Sequence, residues 1–546
     1  MRIKSEPNNT TRPSNNQSPV LSLDSKHRWI VLTVLCLGLL ITGIDNTILN
    51  VALPTLVRNL HASMSQLQWI VDAYAVVFAG LLLTAGNFGD RFGSKYLLLG
   101  GLAIFGSGSA LSAFSTTSLQ LISARALMGV GGAMLMPATL SIITKVFHEP
   151  HERERAIGIW AGTSGLGVAI GPIVGGWLLD HYWWGSVFLV NVPIAVVAFG
   201  ATLWMIPRFQ GHRSSRLDLL GTLLSIASLG TLFWGIIEAP TQGWSASTTL
   251  GAIVVGVVLL AVFIVWEFRC DHPMLDVRLF AQRGFAGASI SLMLTIFALS
   301  GALFLITQYL QFVLGNSPLH TGLLIAPVSI VLFGTAALAG VLVRKTGAQV
   351  LISGGLVVVA IGLFATSRLG ISSDFATLTW RFLLLGAGIG LVMPPATNAV
   401  LATLPKERAG VGSAINSTMI QVGGGLGVAV LGSILSTRYS SQVTKVLIGH
   451  NVPPIAKTTI LSSLGGALAV ANHVGGSLGA SLARVADAGF VSGMGIALIV
   501  GAAIASVGAV LALVIVPSKR SSSVSDNVLD NGDGPSVLTD QTNELQ

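Results

Sequence analysis

The chain has 546 residues, of which 52% are apolar and only 10% are charged, and its mean hydropathy is +0.77. No soluble domain of this length could present so much apolar surface to water, which excludes a soluble enzyme or a nucleic-acid-binding module and indicates an all-α polytopic membrane protein. The formal net charge of +8 does not mark an anionic partner, because the basic residues are sorted by side of the membrane.

Residues 1–26 are polar and rich in Pro, Asn and Ser, and they read as a disordered cytoplasmic tail with none of the pattern of a cleaved signal peptide. Windows of about 20 apolar residues then give fourteen spans, near 29–52, 65–85, 95–114, 119–142, 156–178, 184–206, 217–237, 248–268, 285–312, 321–343, 349–367, 376–402, 410–436 and 488–516. An even number returns the chain to the side on which it began. The short loops on that side carry Arg91, Lys95, Lys145, Arg153, Arg155, Arg213, Arg216, Lys406 and Arg408 among others, whereas the opposite loops as far as residue 436 carry only Arg58 and Arg368. The excess of positive charge places both termini in the cytoplasm.

The connection 437–487 is the one long external loop. Its 465–486 part is apolar but broken by glycines, and it reads either as a segment lying on the membrane surface or as a hairpin. Residues 519–546 are rich in Ser, Asp and Asn and read as a second disordered cytoplasmic tail.

An internal repeat is visible at an offset near 250–260 residues. The run from Arg125 through Gly129 to Pro137 returns as Arg381 through Gly386 to Pro394, Glu154-Arg155-Ala156 returns as Glu407-Arg408-Ala409, and Gly165-Leu166-Gly167-Val168-Ala169 returns as Gly425-Leu426-Gly427-Val428-Ala429. The expected organisation is an N-terminal six-helix bundle over 27–206, two inserted helices with a cytoplasmic linker over 207–283, and a C-terminal six-helix bundle over 284–518. Parallel halves of this kind around a central path are one arrangement used for alternating access.

Asp45 stands about 17 residues beyond Arg28, too deep in the first span for a surface carboxylate at a rise of about 1.5 Å per residue. A central Asp costs an inserting helix roughly 2.5–3.5 kcal/mol, so such a residue faces a cavity or a partner. Asp72 enters the second span about seven residues from its outer end and Arg125 the fourth about six residues from its outer end, both roughly 10 Å deep. Two carboxylates and a guanidinium can therefore meet in the outer part of the first half, where burial and a neighbouring charge tune titration for proton exchange. The alternative is a static ion pair that locks helices together. Spans 9–14 contain no acid, which confines a proton site to the first half.

The fifth span carries Gly158, Gly167, Gly171-Pro172 and Gly175-Gly176. Small residues admit a close helix and Pro bends the chain, so the run reads as a flexible seam between the halves, or else as tight packing. The turn after the second span, Gly86-Asn87-Phe88-Gly89-Asp90-Arg91-Phe92-Gly93-Ser94-Lys95, can gate the cytoplasmic side if Asp90 and Arg91 bridge helix ends.

Trp69, Tyr74, Trp160, Phe304, Tyr309 and Phe312 are candidates to line an apolar cavity and hold flat cations, interface anchoring being the commoner fate of any one of them. Glu238 reads as a residue of the outer mouth or a cap. The two cysteines, Cys36 and Cys270, read as packing residues. The run His148-Glu149-Pro150-His151-Glu152 places its second His one position too early for a zinc helix, and no phosphate-binding G-x4-G-K-[ST] run exists, so neither a metal nor an ATPase is expected.

Together these stretches resemble the signature motifs of the major facilitator superfamily, and the fourteen-span count resembles its drug:proton antiporter branch of the EmrB/QacA type. Ile44 to Pro54 is similar to that branch's first-span motif, Gly86 to Lys95 to the superfamily's loop motif, and Leu121, Arg125, Gly129 and Ala133 to the fourth-span motif linked to proton transfer. Gly158 to Gly176 is similar to the antiporter motif. Met128 and Ser94 depart from the pattern, where Gln and a basic residue are usual. The resemblance implies a major-facilitator fold and a monomer in the plasma membrane that exchanges protons for lipophilic cationic or neutral compounds, conferring multidrug resistance. It implies no cofactor besides the proton gradient, no enzymatic activity and no nucleic acid. The alternative is a dedicated exporter of an endogenous metabolite, antibiotic, amino acid or lipid. Later spans offer only Asn416 and Gln421 where relatives that export dications look to have acids, which favours monovalent or neutral substrates.

Overall fold

The computed structural model describes residues 24–208, 218–271, 273–403, 409–448 and 452–517. The expected tails over 1–26 and 519–546 fall almost wholly outside these residues, as do Arg213, Arg216, Lys406 and the Glu407-Arg408 copy of the repeat.

Backbone amides in lipid must be satisfied within their own segment, and each apolar run accordingly closes on itself as helix. The first half consists of α1 (Ser25–Leu60), α2 (Met64–Phe92), α3 (Ser94–Ala113), α4 (Ser118–Val146), α5 (Pro150–His181) and a sixth span divided at Val190 into α6 (Ser186–Leu189) and α7 (Asn191–Met205). The inserted pair is α8 (Leu219–Gln242) and α9 (Ser247–Arg269). The second half begins with α10 (Arg283–Gln308), which runs on as a π-turn over Tyr309–Val313. It continues as α11 (Pro318–Thr346), α12 (Ala348–Thr366), α13 (Phe375–Ala402), α14 (Ala409–Leu447), the short α15 (Pro454–Ser462) and α16 (Leu464–Val474), and α17 (Gly476–Ile515). Among the described residues fourteen helical segments are long and apolar enough to cross a membrane.

Helix ends follow local chemistry. Ser63 caps α2 through a reciprocal pair with Gln66, and Thr117 and Ser317 accept from the third amides of α4 and α11. The one-residue turns between α2 and α3 and between α11 and α12 are Gly93 (φ 102°) and Gly347 (φ 85°). Both angles disfavour residues with a β-carbon, and the two glycines stand at matching places in the repeat.

Pairing of helices repeats as well. In the first half α1 packs on α5 and α7, α2 on α4, and α3 on α4 and α7; in the second half α10 packs on α14 and α17, α11 on α13, and α12 on α13 and α17. The halves meet along two seams, α2 with α14 and α5 with α11. Helix α8 rides over the first seam. Gly80 of α2 receives Ile226, Gly425 of α14 receives Phe233, and the Ser433 hydroxyl donates to the Ile236 carbonyl at 2.8 Å.

The chain between the last two spans is helical for most of its length. Here α14 runs on to Leu447 and α17 already begins at Gly476, with α15 and α16 between them and α16 packed on α17, so that the 465–486 segment is divided between α16 and the start of α17. The Tyr439 hydroxyl holds this segment by donating to the Ile460 carbonyl at 2.9 Å. Gly465 of α16 sits so close to Val57 of α1 and the ring of Phe312 that a β-carbon would collide with both.

Candidate functional site

Asp45 and Arg125 are both buried, at 0% and 1% exposure. Arg125 Nη1 donates to Asp45 Oδ2 at 2.6 Å, Nε donates to the Ile70 carbonyl at 3.1 Å, and the guanidinium lies 4.7 Å from the centre of the Tyr74 ring. Three helices therefore hold one cation in place. Asp45 Oδ1 meets no donor among the described residues.

A cavity of about 630 Å³ separates the halves, with α1, α2, α4 and α5 on one wall and α10, α11, α13 and α14 on the other. Arg125 and Tyr74 reach its surface, while Asp45 stays behind them. Among the described residues the remaining polar lining is uncharged, and comprises Asn46, Thr47, Asn50 and Ser164 on one side and Ser300, Ser329, Thr397, Asn398 and Gln421 on the other.

Asp72 does not join the pair. It is fully buried on another face of α2, where a β-carbon on Gly425 of α14 would stand 3.3 Å from its Oδ1 and where Phe233 of α8 also packs. The position around the helix axis separates Asp72 from Ile70, whose carbonyl faces Arg125. Neither Asp72 oxygen meets a donor among the described residues.

The fifth-span glycines divide their work. Gly167, Gly171 and Gly175 press against Gly43, Ile44, Thr47 and Ile48 of α1, within the first half, whereas Pro172 and Gly176 meet Gly322 and Leu319 of α11 across the seam. Gly158 touches neither helix and stands in open space. The run is thus a seam between halves at two positions and an intrabundle contact at three.

In the turn after α2, Gly89 lies against Leu97 and Gly86 near Pro137. The bridging residue is Lys95, whose Nζ donates to the carbonyls of Leu203 and Ile206 at 2.9 and 2.6 Å and so caps α7. Asp90 and Arg91 are exposed; Arg91 lies over Phe92, and Asp90 acts electrostatically on Lys145. An ion pair between Arg28 and Glu152 at 2.6 Å ties α1 to α5 beside the described N-terminus. No sequence signal announces that pair, because its members are 124 residues apart.

Of the aromatic candidates only Tyr74 lines the cavity. The Trp160 indole donates to Thr139, the Tyr309 hydroxyl to the Gly370 carbonyl, and Phe312 lies beneath Arg58. Phe333, which was not singled out from the sequence, is the ring that α11 adds to the wall. Glu238 accepts from Thr241 at 2.9 Å, a local cap, and Gln421 lines the cavity whereas Asn416 does not.

Polar ties between the halves gather on the face opposite the termini. Gln68 Nε2 donates to the carbonyls of Val428 and Ala429 at 3.1 and 2.8 Å, Gln311 Nε2 donates to the Val51 carbonyl at 2.8 Å, and the Ser317 hydroxyl donates to Asp180 at 3.0 Å. The cavity is sealed there. Toward the termini a β-carbon on Gly158 of α5 or on Gly340 of α11 would meet no atom within 4 Å.

Two similar half-bundles around a central cavity, tied together by polar contacts on one face, have the architecture of a membrane transporter. The chain belongs to the Major Facilitator Superfamily, whose family model matches residues 35–428. It is 35% identical over 478 residues to the "Methyl viologen resistance protein SmvA" of Salmonella typhimurium, covering 86% of this chain and 94% of that one. It is 36% identical to the "Multidrug efflux pump LfrA" of Mycolicibacterium smegmatis, covering 88% and 94%, and 32% identical to the "Tetracenomycin C resistance and export protein" of Streptomyces glaucescens, covering 89% and 91%. Among solved structures, an inward-facing bacterial homologue of the lysosomal transporter Spinster matches with a TM-score of 0.62 at 17% identity, over 91% of this chain and all of that one. The xylose transporter XylE from E. coli matches with a TM-score of 0.56 at 14% identity, over 91% and 99%. These matches define the fold.

Proposed function

We propose that the protein exports lipophilic compounds, monocationic or neutral, by exchanging them for protons, as a drug:proton antiporter whose activity confers multidrug resistance. The observation that carries this reading is the buried Arg125–Asp45 pair at the wall of a large, otherwise uncharged cavity. A buried ion pair is weak as a stabilising device, since desolvation offsets most of its attraction, so its retention beside a cavity favours a working role. Relatives named for resistance and export support the same assignment.

In this reading Asp45 is the proton carrier and Arg125 its partner. With Asp45 ionised the pair is neutral and a cation can occupy the cavity; a proton on Asp45 frees the guanidinium, which then opposes the cation and favours its release. Asp72, sealed between α2, α8 and α14, takes part only when that seam separates. Pro172 and Gly176 of α5 form the bend and contact that let α11 move past, and the turn with Lys95 anchors the end of α7. Charge sorting puts both termini in the cytoplasm, so the sealed face is external and the conformation is inward-open. The proton gradient is the energy source, and a single chain is the working unit. Export of the cell's own product is the second reading, favoured by the relative named for tetracenomycin C.

The test uses proteoliposomes containing only this protein, with an imposed pH gradient, an internal pH-sensitive dye and a panel of lipophilic monocations such as ethidium and tetraphenylphosphonium. Substrate-triggered proton movement is expected. A folded protein that responds to no member of the panel would turn the assignment toward a dedicated metabolite exporter.

A further inference from the structure

The inserted pair of helices carries two acids that neither bundle uses. Asp218 stands one residue before α8 and Glu267 lies in the last turn of α9, so both occupy the end of the pair that faces the side of the termini, and both are buried, at 8% and 3% exposure. Asp218 caps α8: its Oδ1 accepts from the Gly221 amide at 2.8 Å, and the Trp266 indole of α9 donates to its Oδ2 at 2.9 Å. Glu267 Oε2 accepts from the Leu275 amide at 2.9 Å, while its Oε1 meets no donor among the described residues.

The two acids face one another across Gly221. A β-carbon on that residue would lie 2.5 Å from Asp218 Oδ2 and 2.8 Å from Glu267 Oε1, so both oxygens border a space that only glycine leaves open. Among the described residues neither acid is in an ion pair. Arg269, Asp271 and Arg278, the charged residues nearest to Glu267 along the chain, are exposed; Asp276 accepts from the Arg278 amide at 3.2 Å, and α2 meets the site through Thr84. Arg216 and His272 lie outside the described residues.

Two carboxylates buried side by side repel, and such a pair relieves the repulsion by keeping one proton between its members. Their surroundings assign the roles. Asp218 sits at the positive end of α8 and already accepts from two N–H groups, which suits the charged form. Glu267 Oε1 is an orphan acceptor as a carboxylate and becomes a donor once protonated.

We propose that Asp218 and Glu267 form a second proton-binding site, outside the two bundles, in which a single proton on Glu267 Oε1 is held against Asp218 Oδ2. The site stands at a joint. The Thr222 hydroxyl donates to the Asp218 carbonyl at 2.6 Å and lies 2.6 Å from the Thr84 hydroxyl of α2. Leu275, held by Glu267, opens the linker whose Phe280 ring packs 5.1 Å from that of Phe285 on α10. The first half, the inserted pair and the entry to the second half are thus fastened at one place, and loss of the proton sets two charges against each other there. The site is independent of what the cavity carries, and the proton it exchanges is that of the compartment holding the termini.

Infrared spectra of the full chain in vesicles, recorded at neutral pH, test the shared proton. Wild type is expected to show a protonated-carboxyl C=O component that is lost in Glu267→Gln and equally in Asp218→Asn, whose amide donates across the gap and lets Glu267 ionise; the double variant should lose no more than either single one. Asp218→Ser, which keeps the helix cap, carries the same readout should Asp218→Asn fail to fold. A component that survives both substitutions at 218 would mean that Glu267 keeps its proton alone, and identical spectra of wild type and Glu267→Gln would mean that both acids are ionised; either result overturns the site. The joint is read by deuterium exchange of the linker amides over 273–282. Exchange is expected to be equal in wild type and Glu267→Gln at neutral pH and faster in wild type under alkaline conditions, and equal exchange under both would overturn the link between the proton and the joint.

Discussion

Arg125 stands between Asp45 and the cavity: its Nη1 is 2.6 Å from the carboxylate, and the guanidinium, not the carboxylate, reaches the cavity surface. A substrate therefore senses the state of Asp45 through the cation that covers it. Asp45→Asn is predicted to yield folded protein that no longer drives export with a pH gradient, read as loss of substrate-triggered proton movement in proteoliposomes. Full gradient-driven export by this variant would remove Asp45 from the mechanism.

Breaking the pair from the other side has a different signature. Arg125→Gln leaves Asp45 buried without its cation, which costs about 3–5 kcal/mol. A clear fall in unfolding temperature in detergent is predicted for Arg125→Gln. The double variant Asp45→Asn with Arg125→Gln should recover part of that loss without recovering transport, and strictly additive effects would deny the coupling.

The glycines of α5 should separate by position. Gly171→Val drives a side chain into Thr47 and the Ile44 carbonyl of α1 and should cost about 1–3 kcal/mol by overpacking. Gly158→Val meets open space and should leave folding nearly unchanged. Thermal unfolding of the two purified variants is the check, and similar losses at both sites would mean that α5 and α1 are not packed as described.

Gln68→Leu removes the side-chain amide that joins α2 to the Val428 and Ala429 carbonyls on the sealed face. The predicted effect is a shift toward the conformation open on that face. An added cysteine at Asn50, on the cavity wall, should become more reactive to a membrane-impermeant maleimide applied from the side opposite the termini. Unchanged labelling would mean that the seal does not depend on Gln68.

Among the described residues the cavity wall offers no carboxylate, so a dication such as methyl viologen should be exported poorly relative to tetraphenylphosphonium. Ser329→Asp places an acid on the wall contributed by α11 and should raise methyl viologen export relative to the monocation. Paired transport assays of both compounds are the measurement, and efficient methyl viologen export by the unaltered chain would show that acids on the cavity wall are not what admits a second charge.

Sequence alone determined the number and order of spans and the repeat, and offered Asp45, Asp72 and Arg125 together as one candidate cluster, because hydropathy and depth along a helix are one-dimensional properties written directly in residue order. It could not separate Asp72 from the other two, divide the α5 glycines between α1 and α11, or prefer Lys95 to Asp90 and Arg91 as the bridging residue. Those outcomes depend on rotation about helix axes, which neighbours decide and which a span that is apolar on all sides leaves unmarked. Tertiary structure also decided that α8 covers one seam while Phe333 stands in the other. Both follow from which half-bundle faces meet, and the close approach of small residues to a partner helix is settled only when that partner is in place.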